Sequence, residues 1–253
     1  IMKYQMTDRQ LIEERYHDEV QRSGVIQRGH LSTGQSTYFK HFYELIGIVK
    51  GLHILEVGCG CGWFGLQLAQ QDANVLGIDI SGELVRQASR EAENQGCTGK
   101  VVFQKMAVEH MSFKGNSFDL VVGNAILHHT DISVTITNVH RVLIPGGRAI
   151  FVEPLNENIV LKIWRVLTPW RRSKTERALV KQDLEYIKTV FSSAAFYYFG
   201  LTSMISMGLL MYFPRNKMLG MINEKLERCD KILSTKYPQL GQYYAVVVMD
   251  LKK

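Results

Sequence analysis

The stretch Leu55-Glu56-Val57-Gly58-Cys59-Gly60-Cys61-Gly62 decides the fold: an apolar strand runs into a loop with glycine at every second position. Without a Cβ, such a loop turns sharply and lets its backbone approach a ligand to van der Waals contact. The next apolar run, Val75-Leu76-Gly77-Ile78-Asp79-Ile80, ends in an acid. Its spacing from Gly58 is what adjacent parallel strands require, and it places Asp79 where a carboxylate accepts hydrogen bonds from both hydroxyls of a ribose. Gly60-Cys61-Gly62-Trp63-Phe64-Gly65 also satisfies the dinucleotide fingerprint G-x-G-x-x-G, so the loop alone leaves two ligand classes open. Glu56 separates them. A pyrophosphate favours an uncompensated helix N-terminus, whereas a carboxylate beside the loop suits an ammonium or sulfonium ligand.

Outward from Leu52 the pattern alternates strand with helix, which predicts a parallel sheet with right-handed crossovers. Strands are expected at 52–57, 74–79, 101–105, 118–123 and 148–153, and helices at 63–71, 81–95 and 131–143, the last closed by Pro145-Gly146-Gly147. Upstream, residues 7–50 predict helices covering the sheet edge, with Leu11, Ile12, Tyr16 and Val20 as one apolar face and Phe39, Phe42, Leu45 and Ile46 as another. Downstream of Glu153 a basic insertion spans 154–180, a helix is expected at 181–191, and Thr189 to Pro214 contains no charged residue. The uncharged run predicts a sixth strand followed by a Met-rich apolar lid helix rather than a membrane span, because Tyr243 to Leu251 must still return to the sheet as a final strand. The expected organisation is therefore N-terminal helices over the site in 1–50, a cofactor-binding core in 51–153, insertion, strand and lid in 154–235, and the last strand in 236–253.

With 253 residues, 46% hydrophobic and 21% charged, the chain can bury one sizeable core. Cys59, Cys61, Cys97 and Cys229 form neither a C-x-x-C pair nor a disulfide framework, and Ile1 to Gln5 has no export-signal pattern. A cytoplasmic home follows as the expectation, with contact at a membrane surface as its variant. The net charge of +6 comes without the basic, aromatic-studded stripe of a nucleic-acid binder, so nucleic acid is not an expected partner. A homo-oligomer stays open.

Further along, Asn116-Ser117-Phe118-Asp119-Leu120-Val121-Val122 and Leu127-His128-His129-Thr130-Asp131 precede a helix ending in Arg141-Val142-Leu143-Ile144-Pro145-Gly146-Gly147. With the glycine loop and Asp79, these residues resemble the class I S-adenosylmethionine-dependent methyltransferases, in particular the group that includes ubiquinone and menaquinone biosynthetic enzymes and many natural-product enzymes. The resemblance covers about residues 52–153. It implies a Rossmann-like α/β fold with a seven-stranded, mostly parallel sheet and helices on both faces. It also implies S-adenosylmethionine as cofactor, S-adenosylhomocysteine as product, and no metal. By position, Glu56 would orient the methionine ammonium through the loop, and Gly58, Cys59, Gly60 and Gly62 would line the methionine moiety. Asp79 would hold the ribose, Ile80 would pack on adenine, and Asn124 would offer its carbonyl to the ammonium. The sequence departs from the family after strand 3, where Met106-Ala107-Val108-Glu109 puts Ala107 in the place of an acid that accepts from the adenine amino group. Adenine would then rest on apolar stacking and backbone groups, or on Glu109 in a shifted register.

Transfer from a sulfonium needs mainly alignment and exclusion of water. A hydroxyl acceptor would still benefit from a base at the carboxyl ends of strands 4 and 5, which nominates His128, His129 and Glu153. Capping or packing is the competing reading for each histidine. Tyr16 and His17 would close over the site, and Trp164, Tyr197 and Met204 would belong to the lid or substrate wall. The expected activity is methylation of a small lipophilic or aromatic acceptor, at oxygen in preference to carbon. A C-methyltransferase of quinone or polyketide type and a non-catalytic binding module are the alternatives.

Overall fold

A computed structural model describes residues 5–22, 37–168, 173–213 and 216–253. Its strands are β1 (His53–Val57), β2 (Asn74–Asp79), β3 (Val101–Lys105), β4 (Phe118–Asn124), β5 (Leu143–Pro154), β6 (Ser193–Phe199) and β7 (Val246–Lys252). Its helices are α1 (Asp8–Arg22), α2 (Thr37–Ile46), α3 (Trp63–Gln70), α4 (Gly82–Asn94), α5 (Ile132–Val142), α6 (Ile159–Leu167), α7 (Lys181–Val190), α8 (Met204–Tyr212) and α9 (Lys217–Lys236). The sheet runs β3-β2-β1-β4-β5-β7-β6, parallel throughout except for β7, which is antiparallel to both its neighbours. This is the seven-stranded, mostly parallel α/β architecture expected. Trp170, Arg171 and Arg172 of the basic insertion, and residues 23–36, lie outside the described residues.

Two apolar cores follow from the strand period of two, because a strand covered on both faces must be apolar at successive positions. Leu55 and Val57 turn to the face covered by Ile136 and Val139 of α5 and Leu184 and Ile187 of α7. Ile54, the residue before Leu55, turns to the face covered by Phe42 of α2 and Phe64 and Leu68 of α3. Helix starts are set by side-chain caps, each worth about 1 kcal/mol. Ser81 Oγ accepts from the Leu84 N–H (3.2 Å) to open α4, and Asp131 Oδ1 accepts from the Val134 N–H (3.2 Å) to open α5. β5 starts at Leu143 rather than 148, because Leu143 already pairs with Phe118 across a register shift.

The N-terminal helices differ from expectation. Neither covers a sheet edge: α2 packs on the face over β5 and β7, and α1 packs against α4. On α1 the buried residues are Gln10 and Glu13, whereas Leu11 and Ile12 are 37% and 39% exposed. The helix turns its polar face inward because the surface it meets is polar. Ser81 hydrogen-bonds Asp18, and Gln10 Nε2 donates to Glu109 Oε2 (3.2 Å).

Candidate active site

The carboxyl ends of β1, β2 and β4 ring a cavity of about 170 Å³. One wall is the glycine loop, with Gly58, Gly60 and Cys61 at the surface. Gly60 adopts φ +52°, and a Cβ there would point into open space. Gly62 has φ +79° and serves packing instead: a Cβ would lie 2.6 Å from the Phe103 ring, so glycine is what lets α3 begin against β3. Asp79 closes the floor. Its Oδ2 accepts from the Gly60 N–H (2.9 Å) and its Oδ1 from the Ser81 N–H (2.8 Å). Burial pushes its pKa up, and these two backbone donors work against the rise. Each oxygen keeps a further lone pair. Ile80, Leu84, Ala107 and Val108 form an apolar wall beside it.

The opposite wall comes from α1 and from the turn after β4. Glu13, on α1, is nearly fully buried and acts as a hub. Its Oε1 accepts from the Ser173 hydroxyl (2.6 Å) and from Thr175, and its Oε2 pairs with His129 Nδ1 (3.0 Å) and lies 3.7 Å from His17 Nε2. Burial alone would raise the Glu13 pKa, but the hydrogen bonds and charge of His129 and the two hydroxyls overcome it and hold it at about 2. His129 moves the other way: burial would lower its pKa, and Glu13 raises it above the ordinary value. His17 is pushed down to about 4 by burial and by its neighbour His129. Glu13, His17 and His129 bring their donor atoms within 4.8 Å of one another, as do His128, His129 and Glu176. In the first group Glu13 is already satisfied by its hydrogen bonds.

Glu153, nominated as a base, does not line this cavity. It is fully buried, and its Oε1 accepts from the Ile126 (2.8 Å) and Leu127 (2.7 Å) N–H groups while its Oε2 meets His128 Nδ1 at 2.7 Å. It therefore anchors the turn that follows Ala125, a residue held in the left-handed region at φ +56°. That conformation costs about 1 to 2 kcal/mol for a residue with a Cβ, and Glu153 offsets it by collecting the N–H groups the turn exposes. His128 is buried on the Glu153 side, and of the two histidines His129 is the one that lines the cavity.

Several other nominated residues stand elsewhere. Glu56 faces helix α3, its Oε2 only 2.5 Å from where a Gly65 Cβ would be, and it has no hydrogen-bond partner for that oxygen. Burial, joined by the charge of Asp79 and opposed by the Gly65 backbone, raises its pKa to about 8. Cys59 is buried beneath the loop, and Met106 N–H donates to the Asp79 carbonyl (2.9 Å). Neither these two nor Asn124 lines the cavity. Tyr16 meets His17 edge to face. Trp164 is 41% exposed on α6, and Met204 opens α8. Tyr197 lines a different and larger groove of about 760 Å³ between α2, β6 and α9, which none of the nominated cofactor residues enters. Sequence reasoning missed Gln10, Glu13, Ser173 and Thr175. The one signal for Glu13 was its position four residues before His17, which stacks the two on one helix face.

Residues 54–147 match the family model described as a methyltransferase domain. These residues form a class I S-adenosylmethionine-dependent methyltransferase domain. The sterol 24-C-methyltransferase erg6 of Aspergillus fumigatus is 36% identical over 104 residues, 40% of this chain and 28% of that protein. The demethylmenaquinone methyltransferase of Lactiplantibacillus plantarum is 28% identical over 126 residues, 47% of this chain and 53% of that protein. The chain thus spans between about a quarter and a half of the length of these curated relatives. Among solved structures, phosphoethanolamine N-methyltransferase 2 of Haemonchus contortus in complex with S-adenosyl-L-methionine superposes with a TM-score of 0.61 at 16% identity, over 83% of this chain and 52% of that one. At that identity the likeness speaks for the fold. The cavity of the methyltransferase domain fits the adenosyl group: Gly60 leaves open room over the loop, Asp79 has lone pairs for a diol, and the Ile80–Leu84–Ala107–Val108 wall offers an apolar face to a purine.

Proposed function

We propose that the chain transfers a methyl group from S-adenosylmethionine to the hydroxyl oxygen of a small lipophilic acceptor. The observation that supports this best is Asp79, clamped between the Gly60 and Ser81 amides at the cavity floor (2.9 and 2.8 Å). When bound, the adenosylmethionine supplies a methyl group on a positively charged sulfur, already activated for in-line displacement. Asp79 holds a ribose diol, the glycine loop follows a chain without steric conflict, and α1 lies over the mouth and excludes water. His129 receives the acceptor proton. Its Nδ1 is engaged by Glu13, which fixes the tautomer and leaves Nε2 to act as base, and the carboxylate stabilises the imidazolium that results.

The test is release of S-adenosylhomocysteine in the presence of a panel of phenols and long-chain alcohols. His129→Ala should lower kcat by about 10²- to 10⁴-fold, the usual contribution of a positioned base, with cofactor affinity retained. An unchanged kcat would remove His129 from the chemistry. A second reading, methylation at carbon, is favoured by the likeness to the sterol 24-C- and demethylmenaquinone methyltransferases. Fragmentation of a product labelled from deuterated methyl donor separates oxygen from carbon.

A further inference from the structure

Helix α6 buries none of its residues. Its sequence, Ile159-Val160-Leu161-Lys162-Ile163-Trp164-Arg165-Val166-Leu167, is mostly apolar, and Ile159, Val166 and Leu167 are 67%, 78% and 62% exposed. A second apolar surface lies on α8 and the start of α9, where Ile205, Phe213, Met218 and Met221 are each about 60% exposed or more. The two surfaces are joined at their base. Asn158, the N-cap of α6, donates through Nδ2 to the carbonyls of Gly200 (3.1 Å) and Tyr243 (3.0 Å), and Asp230 of α9 accepts from the Leu201, Thr202 and Ser203 N–H groups at the turn into α8. Scattered apolar residues are ordinary on a protein surface, but a whole helix of them beside a second patch is not.

The charges name the occupant. Between Glu157 and Glu176 there is no acid, and the cations are Lys162, Arg165, Arg171, Arg172 and Lys174. Between Glu185 and Glu224 there is again no acid, and the cations are Lys188, Arg215 and Lys217. Among the described residues Lys162 pairs with Glu157 (2.6 Å) and Lys188 with Glu185 (2.9 Å), the acids that end these stretches, so Arg165, Lys174 and Lys217 supply the excess of positive charge near the exposed apolar residues. A protein partner or a second copy would ask for apolar area; an anionic bilayer asks for apolar side chains with an excess of cations beside them. No described helix is long and apolar enough to cross a membrane, so the contact lies in the interface plane.

We propose that α6 together with α8 and the first turns of α9 forms a docking surface for a membrane bearing anionic headgroups. The surface follows the carboxyl ends of β5 and β6, the edge of the sheet at which the cavity also lies, and Ser173 and Thr175, later in the chain than α6, hold Glu13 of the cavity wall. The proposal extends the reading of a lipophilic acceptor to the phase that delivers it, while the docking itself stands without that reading.

The test is flotation of the full chain with vesicles of phosphatidylcholine alone and of equimolar phosphatidylcholine and phosphatidylglycerol. The chain should partition at least about tenfold more strongly into the anionic vesicles, since each basic residue near such a surface contributes about fivefold, and salt should weaken the contact. Val166→Glu combined with Phe213→Glu should abolish flotation while leaving thermal melting and S-adenosylmethionine binding unchanged, because both positions are exposed. Failure of the wild-type chain to float, or equal flotation of the double variant, overturns the proposal. A wild-type dimer that does not float and that the double variant dissociates also overturns it, and assigns the face to a second copy. Cofactor titrations on the same preparations keep the two readings apart: lost flotation with intact binding leaves the cavity's assignment standing.

Discussion

Asp79 and Glu153 show how differently two acids at strand ends can serve. Asp79 has its oxygens tied to Gly60 and Ser81 by one bond each and faces the cavity; Glu153 has its oxygens consumed by the turn and by His128 and faces nothing. Asp79→Ala should therefore weaken cofactor binding by about tenfold or more, since a hydrogen bond to a charged group is worth roughly 1.5 to 3 kcal/mol. Glu153→Gln should act on stability instead. It removes the charge that accepts from the Ile126 and Leu127 amides and leaves one acceptor oxygen in place of two, and it should destabilise the chain by about 2 to 3 kcal/mol, read as a lowered Tm. Glu56 offers a third outcome. Its folded pKa, near 8, lies above the ordinary 4.5, so its contribution is complete below about 4.5 and is lost as pH rises towards 8. Glu56→Gln should remove that loss and melt above the wild type at pH 8, and a variant that melts lower there would place the charge in a needed role.

Helix α1 is the element on which the site depends and the one whose sequence misleads. Leu11, Ile12, Tyr16 and Val20 mark an apolar face, yet Gln10 and Glu13 are the residues buried. Periodicity reports what an apolar core would bury, and α1 meets a polar rim. Its docking should depend on pH. Glu13, held at about 2, contributes fully above its ordinary 4.5 and loses that contribution as pH falls towards 2. His129, raised above its ordinary 6.5, contributes fully below that value and loses it as pH climbs past the raised one. His17, lowered to about 4, is neutral when docked, so its contribution fades as pH falls from 6.5 towards 4. Docking should thus be tightest near pH 6. Hydrogen exchange should show α1 amides better protected there than at pH 9, and Glu13→Gln should erase the difference; equal protection at both values in the wild type would disconnect Glu13 and His129 from closure.

At the scale of the whole molecule, the sheet was legible because each central strand is apolar on both faces, and Asp79 because a strand end is a fixed address relative to a glycine loop. The lid was less legible. Thr189 to Pro214 reads as one apolar run, and the structure divides it: Phe196 of β6 packs against a core, while Ile205 and Phe213 face outward. The roles of the histidines were illegible, because the partners that settle them are the Ile126 and Leu127 amides for Glu153 and a helix more than a hundred residues earlier for His129. What the molecule assembles from these parts is a cavity at the carboxyl ends of the strands with Gln10, Glu13 and His17 of α1 in its wall, proposed here as the cleft for an adenosyl sulfonium. Isothermal titration of the full chain with S-adenosylmethionine, beside Asp79→Ala, tests it most directly. The account predicts saturable binding at one site, weakened at least about tenfold by the substitution; a flat wild-type titration from a folded chain, or equal affinities for the two proteins, would contradict it.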